Sequence, residues 1–242
     1  MENNKTNFYQ EEISELIDGL TPFPEAIFVT EQSWLSHYVL PLISIDLGIL
    51  RTDLAGTLLH ILSPTEPYEG LIGEATTDFH NEFCSENWIA FELTEDNKYR
   101  FLGNENYFWS APFHKDKTDE DFTEHIKKVH ENYQKAKSRY KTKGQLLPWQ
   151  EDNPQDFLYR LGGETQYSNW TNTSPAPSAF EMSVDESGEN LPNDGISISY
   201  KGKEFMYVSE VAGYSYCGDG ADAILMFYEP ESRIVLFTYD WT

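Results

Sequence analysis

Six consecutive residues near the end of the chain, Ala223-Ile-Leu-Met-Phe-Tyr228, carry no charged side chain and no break in apolar character. A run of that kind and length reads as a strand at the centre of a sheet. Two further β-rich runs, at 204–211 and 233–241, flank it. The glycine-bearing loop Gly213-Tyr-Ser-Tyr-Cys-Gly-Asp-Gly220 precedes the central strand and the turn Glu229-Pro-Glu-Ser232 follows it. Three strands joined by two local turns make a meander, the smallest sheet unit that holds together on one packed face.

One helix stands out upstream. Phe122, Ile126, Val129, Tyr133, Ala136 and Tyr140 recur at alternating steps of four and three, which draws one apolar stripe along a helix over about 119–143. Thr118 is the expected N-cap, acids fill the first turn, lysines and an arginine fill the last turns, and Gly144 stops the helix. That charge order complements the helix dipole. The stripe permits a coiled-coil seam but better suits a helix lying on a sheet. Residues 10–20 place Ile13, Leu16, Ile17 and Leu20 on a second, shorter helical face, ended by Gly19, Pro22 and Pro24. Strand candidates lie at 54–61, 70–76 and 88–93, the last turning through Glu95-Asp-Asn-Lys98 into 99–102 as a hairpin. The segment 42–50 fits a strand or a short helix. Residues 156–161 fit a short strand or a turn, and 162–194 read as a long surface loop interrupted by one apolar piece, 180–184. The fold class that emerges is α+β: mostly antiparallel sheet, the long amphipathic helix, and the C-terminal meander. A polar, proline-flanked connector at 146–154 suggests an N-terminal lobe, 1–145, and a sheet lobe, 146–242, or one continuous domain.

The chain carries 41 acidic against 17 basic residues, a formal charge of −24. Such a surface repels nucleic acid and anionic membranes and steers in a basic protein. With 15% aromatic residues the chain is built to fold rather than to stay disordered. Two cysteines, a polar opening without a signal-like leader, and no apolar run long enough for a bilayer indicate a cytoplasmic protein.

Catalytic patterns are sparse. Cys217 sits in a glycine loop able to present a nucleophile, with Asp219 beside it, but no recognisable protease context surrounds it. Gly218-Asp219-Gly220 reads as a turn needing positive φ. His80 and Cys84, with Asp78 and Glu82 nearby, would offer two metal ligands on a helix, which is not a site. His125 and His130 read as surface residues of the charged helix. No phosphate loop, dinucleotide fingerprint or nucleophile elbow is present, and no cofactor or metal is called for.

Phe157-Leu-Tyr-Arg-Leu-Gly-Gly-Glu164 and Cys217-Gly-Asp-Gly-Ala-Asp-Ala-Ile-Leu-Met-Phe227, followed by Phe237-Thr-Tyr-Asp-Trp241, resemble the YwqG-like family of bacterial proteins of unknown function. The resemblance covers 157–242, departs from the family at Ala221, where a further glycine is usual, and does not extend to 1–114. It implies a sheet-rich bacterial cytosolic protein of a kind found among toxin-immunity loci, and it assigns no site residue.

Taken together, these features predict a non-enzymatic binding protein: an immunity protein that neutralises a basic toxin through an acidic, aromatic-rich surface. Glu164, Tyr167, Trp170, Asp185, Glu186 and Glu189, on the 162–194 loop, are the expected contacts. The alternatives are a small-molecule enzyme with a pocket near Cys217 and Asp219, which requires an exposed thiol with a histidine in reach, and a scaffold whose acids serve solubility.

Overall fold

Alternate residues of the apolar run face two different cores. The structure, a computed structural model, describes residues 8–149, 153–166, 168–184 and 195–241. In it the run forms β12, Ala223–Glu229, inside a seven-stranded antiparallel sheet. The sheet order is β1 (Tyr9–Ile13), β7 (Leu158–Gly162), β11 (Met206–Val211), β12, β13 (Ile234–Asp240), β5 (Trp88–Leu93) and β6 (Tyr99–Phe101). Ile224, Met226 and Tyr228 face one core with Phe91, Val235 and Phe237. Ala223, Leu225 and Phe227 face the other with Trp88, Leu236 and Trp170. Both faces of β12 are covered, so the alternation of a half-wetted strand is absent.

Each core has its own lid. On the first face lies a small sheet, β2 (Leu20–Pro22), β3 (Val39–Asp46) and β4 (Leu58–Pro64), with helix α1, Glu120–Lys143, beside it. On the second lies a sheet of β8 (Phe180–Val184), β9 (Ile196–Tyr200) and β10 (Lys203–Glu204). The large sheet takes β1, β5 and β6 from before residue 145 and its other strands from after it, so the two halves of the chain share one sheet.

Helix α1 ends where its sequence says it should. Gly144 adopts φ 70° and returns its N–H to the Tyr140 carbonyl, the left-handed C-cap that glycine favours. The N-cap is Asp119 rather than Thr118, its carboxylate accepting from the Phe122 N–H at 2.8 Å. Val129, Tyr133 and Ala136 are buried against the first core, and the Tyr133 hydroxyl donates to the Pro41 carbonyl at 2.6 Å. Phe122 lies beyond that contact and only half-buried.

Two further expectations are corrected. Residues 10–20 are not a helix: 9–13 are β1, paired antiparallel with β7, and 20–22 are β2. An isolated helix of that length is marginal in water. As a strand the segment places Ile13 at 0% exposure opposite Leu158, worth about 2 kcal/mol of burial. It also completes the cross-strand row Glu11, Arg160 and Glu210, in which the guanidinium lies 3.4 and 3.6 Å from the two carboxylates. Residues 70–76 are not a strand; a loop there runs into a short 3-10 helix, Glu74–Phe79. The 42–50 ambiguity resolves as strand β3 followed by a 3-10 turn.

Candidate functional site

Glu66, two residues past the end of β4 and only 3% exposed, lines a cavity of about 410 Å³ next to the N-terminal end of α1. Its walls come from three segments: 66–76, which leaves β4; Trp109; and Lys117, Thr118, Asp119 and Phe122 at the start of α1. The stripe on α1 thus outruns the core, and its first member forms cavity wall.

The Glu66 oxygens accept from two successive backbone N–H groups, Trp109 at 2.8 Å and Ser110 at 3.0 Å. No cation pairs with it among the described residues. Burial pushes its carboxyl up to about 7, against the lowering pull of those N–H donors and of the Ser110 side chain. Desolvation penalises the charged form, and these neutral donors do not offset it.

The loop that supplies the donors is held rigidly. Asn104 caps its first turn through the Asn106 N–H at 2.8 Å. Tyr38 stacks on Phe108 at 4.7 Å and donates to Glu105 at 2.7 Å. The Thr76 hydroxyl donates to the Tyr107 carbonyl at 2.6 Å. Trp109 stacks on buried His114 at 4.8 Å. Because the His114 Nε2 lies 2.8 Å from the Asn106 carbonyl, that nitrogen carries the proton. On the cavity side the Lys117 ammonium lies 5.9 Å from the Trp109 ring centre and 6.0 Å from that of Phe113, a cation over aromatic faces. At the rim, exposed Tyr68 leans on His125, which lies 3.8 Å from Asp219.

Gly73 in the cavity wall has φ 80°, and a Cβ there would meet the Tyr107 ring at 2.7–2.9 Å. Gly73→Ala is expected to destabilise the protein by about 2 kcal/mol, through left-handed strain and overpacking together. Urea unfolding measures it.

The residues singled out from the sequence fall elsewhere. Trp170 is 1% exposed, packed between Trp88 and Phe227 with its indole N–H on the Gln166 carbonyl, so it offers no surface to a partner. Its place is in the second core, on the short helix Trp170–Thr173, because the outer face of the large sheet needed an aromatic lid. Glu164 is half-buried. Tyr167, Asp185, Glu186 and Glu189 lie outside the described residues.

Cys217 is fully enclosed, and burial pushes its thiol up to about 12. The exposed thiol that an enzyme reading needs is not there. Gly218 and Gly220 take φ 68° and 114°, and Asp219 accepts the Gly220 N–H at 2.9 Å, as a tight turn requires. His80 and Cys84 are not on a helix: the imidazole Nε2 lies 2.9 Å from the Gly73 carbonyl and the cysteine is buried. Among the described residues no three His, Cys, Asp or Glu side chains converge as metal ligands. His125 and His130 are both half-buried on α1, the latter 3.1 Å from the His37 carbonyl. No helix among the described residues is long and apolar enough to cross a membrane.

Comparison with known proteins finds no matching family model, no matching curated protein and no matching solved structure.

Proposed function

We propose that this chain is a non-enzymatic cytoplasmic binding protein that engages a basic protein, as an immunity protein does when it neutralises a basic toxin. The observation that carries the reading is the surface around the Glu66 cavity. Tyr68, 52% exposed, shares the cavity lining with Glu69, Glu74 and Asp119, and Phe113, 61% exposed, lies under the Lys117 ammonium at its edge, on a chain of net charge −24. Large exposed aromatics amid acids suit a cationic protein face: the rings supply contact area and the acids supply steering. The reading thereby keeps the partner expected from the sequence and moves its contacts from the 162–194 loop to the cavity rim. The resemblance of 157–242 to the YwqG-like family is compatible with this class of protein.

The test is capture from the native host's lysate, followed by the affinity of the purified pair at low and moderate salt. A basic protein should be retained, its binding should weaken as salt rises, and a Tyr68→Ala/Phe113→Ala variant should bind about tenfold more weakly. Binding indifferent to salt and to both aromatics, or no binding at low salt, overturns the reading.

A further inference from the structure

We infer that the Glu66 cavity is a receptor for one basic side chain of the partner, an arginine guanidinium or a lysine ammonium seated against the Glu66 carboxylate. The inference rests on the proposed binding of a basic protein and specifies where one of its cations goes.

Three features of the cavity point to an organic cation. The first is charge. Glu66, Glu69, Glu74 and Asp119 line it, with Lys117 the one basic lining residue among the described residues. Glu66 is only 3% exposed, lines the cavity and has no counter-ion among the described residues. Buried carboxylates are ordinarily paired, and an ionised one left alone is costly. Its two backbone donors hold the oxygens in place without supplying the charge.

The second is shape. Leu71, Ile72 and Phe122 offer apolar wall for the aliphatic stem of a long basic side chain, while Trp109 and Tyr68 offer aromatic faces for its charged head. A metal ion finds no oxygen cage here, since among the described residues no three His, Cys, Asp or Glu side chains converge as ligands. An anion would meet four carboxyl groups.

The third is that the protein already places a cation on this wall. The Lys117 ammonium lies over Trp109 and Phe113 at the cavity's edge. An incoming side chain displaces it from the tryptophan face. Lys117 is therefore a competitor for the site, and its removal should tighten binding.

The probes are the Nα-acetyl methylamides of arginine and lysine, with the uncharged citrulline analogue as control, titrated into the full chain and followed by NMR and Trp fluorescence. Both cationic probes should bind at millimolar concentration, and citrulline should bind at least about tenfold more weakly. Glu66→Gln should reduce binding of the cationic probes about tenfold or more, and Lys117→Gln should tighten it about two- to fivefold. Lys117 is exposed, so the second variant remains informative if the first fails to fold.

Binding should also weaken by about tenfold as the pH falls from about 8 to about 6, since the cation pairs only with the ionised carboxylate. Other groups face Glu66. Glu69, Glu74, Asp119 and Lys117 share the cavity, Ser110 and the Trp109–His114 pair lie on the donor loop, and Tyr38, Glu105 and Tyr107 lie behind. His125 stands at the rim against Tyr68. A histidine gaining charge repels the same probes, so the share owed to Glu66 is the part of the pH dependence that disappears in Glu66→Gln. Equal binding of citrulline and arginine, an unaffected Glu66→Gln, or no binding by either cation overturns the inference. Capture of a basic partner whose affinity ignores Glu66→Gln overturns the cavity while leaving the partner reading standing. Probe binding without any basic partner does the reverse.

Discussion

Phe237→Ala is expected to lower the unfolding free energy by about 3–5 kcal/mol, the range for removing a fully buried aromatic ring. Phe237 is 0% exposed in β13, between Met226 on one neighbouring strand and Ile89 on the other. Its ring meets Phe91 edge-on at 5.9 Å and Tyr99 at 6.3 Å. Collapse into the space is resisted from several directions, because those rings are fixed by strands on the same sheet and by the small sheet above. The loss therefore includes a cavity term beyond transfer of the side chain. Urea unfolding should show a lower midpoint with an unchanged slope, since the amount of surface exposed on unfolding stays the same. Phe113→Ala, at a ring 61% exposed, should change stability by less than about 0.5 kcal/mol. If the two substitutions cost the same, the assignment of Phe237 to the shared core is wrong.

The contrast between these two phenylalanines separates what was legible in the sequence from what was not. The meander was legible because the unbroken apolar run and its turns are local signals, and two-sided burial of β12 is the reason for the run. Helix α1 was legible because its stripe, its acids and Gly144 all agree. Residues 9–13 were misread because Ile13, Leu16, Ile17 and Leu20 have helical spacing. The decision was made by the edge of β7, some 150 positions away, where Arg160, already beside Glu210, takes Glu11 as its second acid. Trp170 looked like a loop aromatic because the 162–194 segment is polar; the unfilled outer face of the large sheet took it into the core. Glu66 gave no comparable signal. It is one of 41 acids, and its burial comes from the donor loop and the start of α1 closing over it. The only local hint is its position just after an apolar strand, between Pro64 and Pro67.

Glu66 should make the free protein lose stability as the solution becomes more alkaline. Its carboxyl rises from the ordinary 4.5 to about 7 in the fold. Between those values the folded state holds a proton that the unfolded state has released. Stability therefore falls as pH rises through that window, by about 3 kcal/mol in all, and the loss is complete above the folded value. His60 acts with the opposite sign. Its ring is 4% exposed, its nitrogens lie 2.6 Å from the Ser44 hydroxyl and 2.8 Å from the Asn97 carbonyl, and burial lowers it to about 4. Here the unfolded state binds the extra proton, so stability falls as pH drops from the ordinary 6.5 toward 4. The two trends overlap in a raw stability curve, and the general repulsion among the acids adds to the alkaline side. Subtracting the curve of Glu66→Gln isolates the carboxylate, because His60 and the surface charges are common to both proteins. The amide turns an N–H toward one of the two backbone donors and leaves that donor unpaired, a pH-independent cost of about 1–3 kcal/mol. Urea unfolding at intervals from about pH 5 to about pH 8 should show wild type favoured in acid and its advantage shrinking or reversing as the carboxylate ionises. A difference curve that is flat across the range means that Glu66 is hydrated in solution. A sloping curve identifies a buried carboxylate that destabilises the protein when ionised, a penalty that a cation paired with it would remove. The stabilisation by an arginine probe should then grow with pH in wild type and stay constant in the variant.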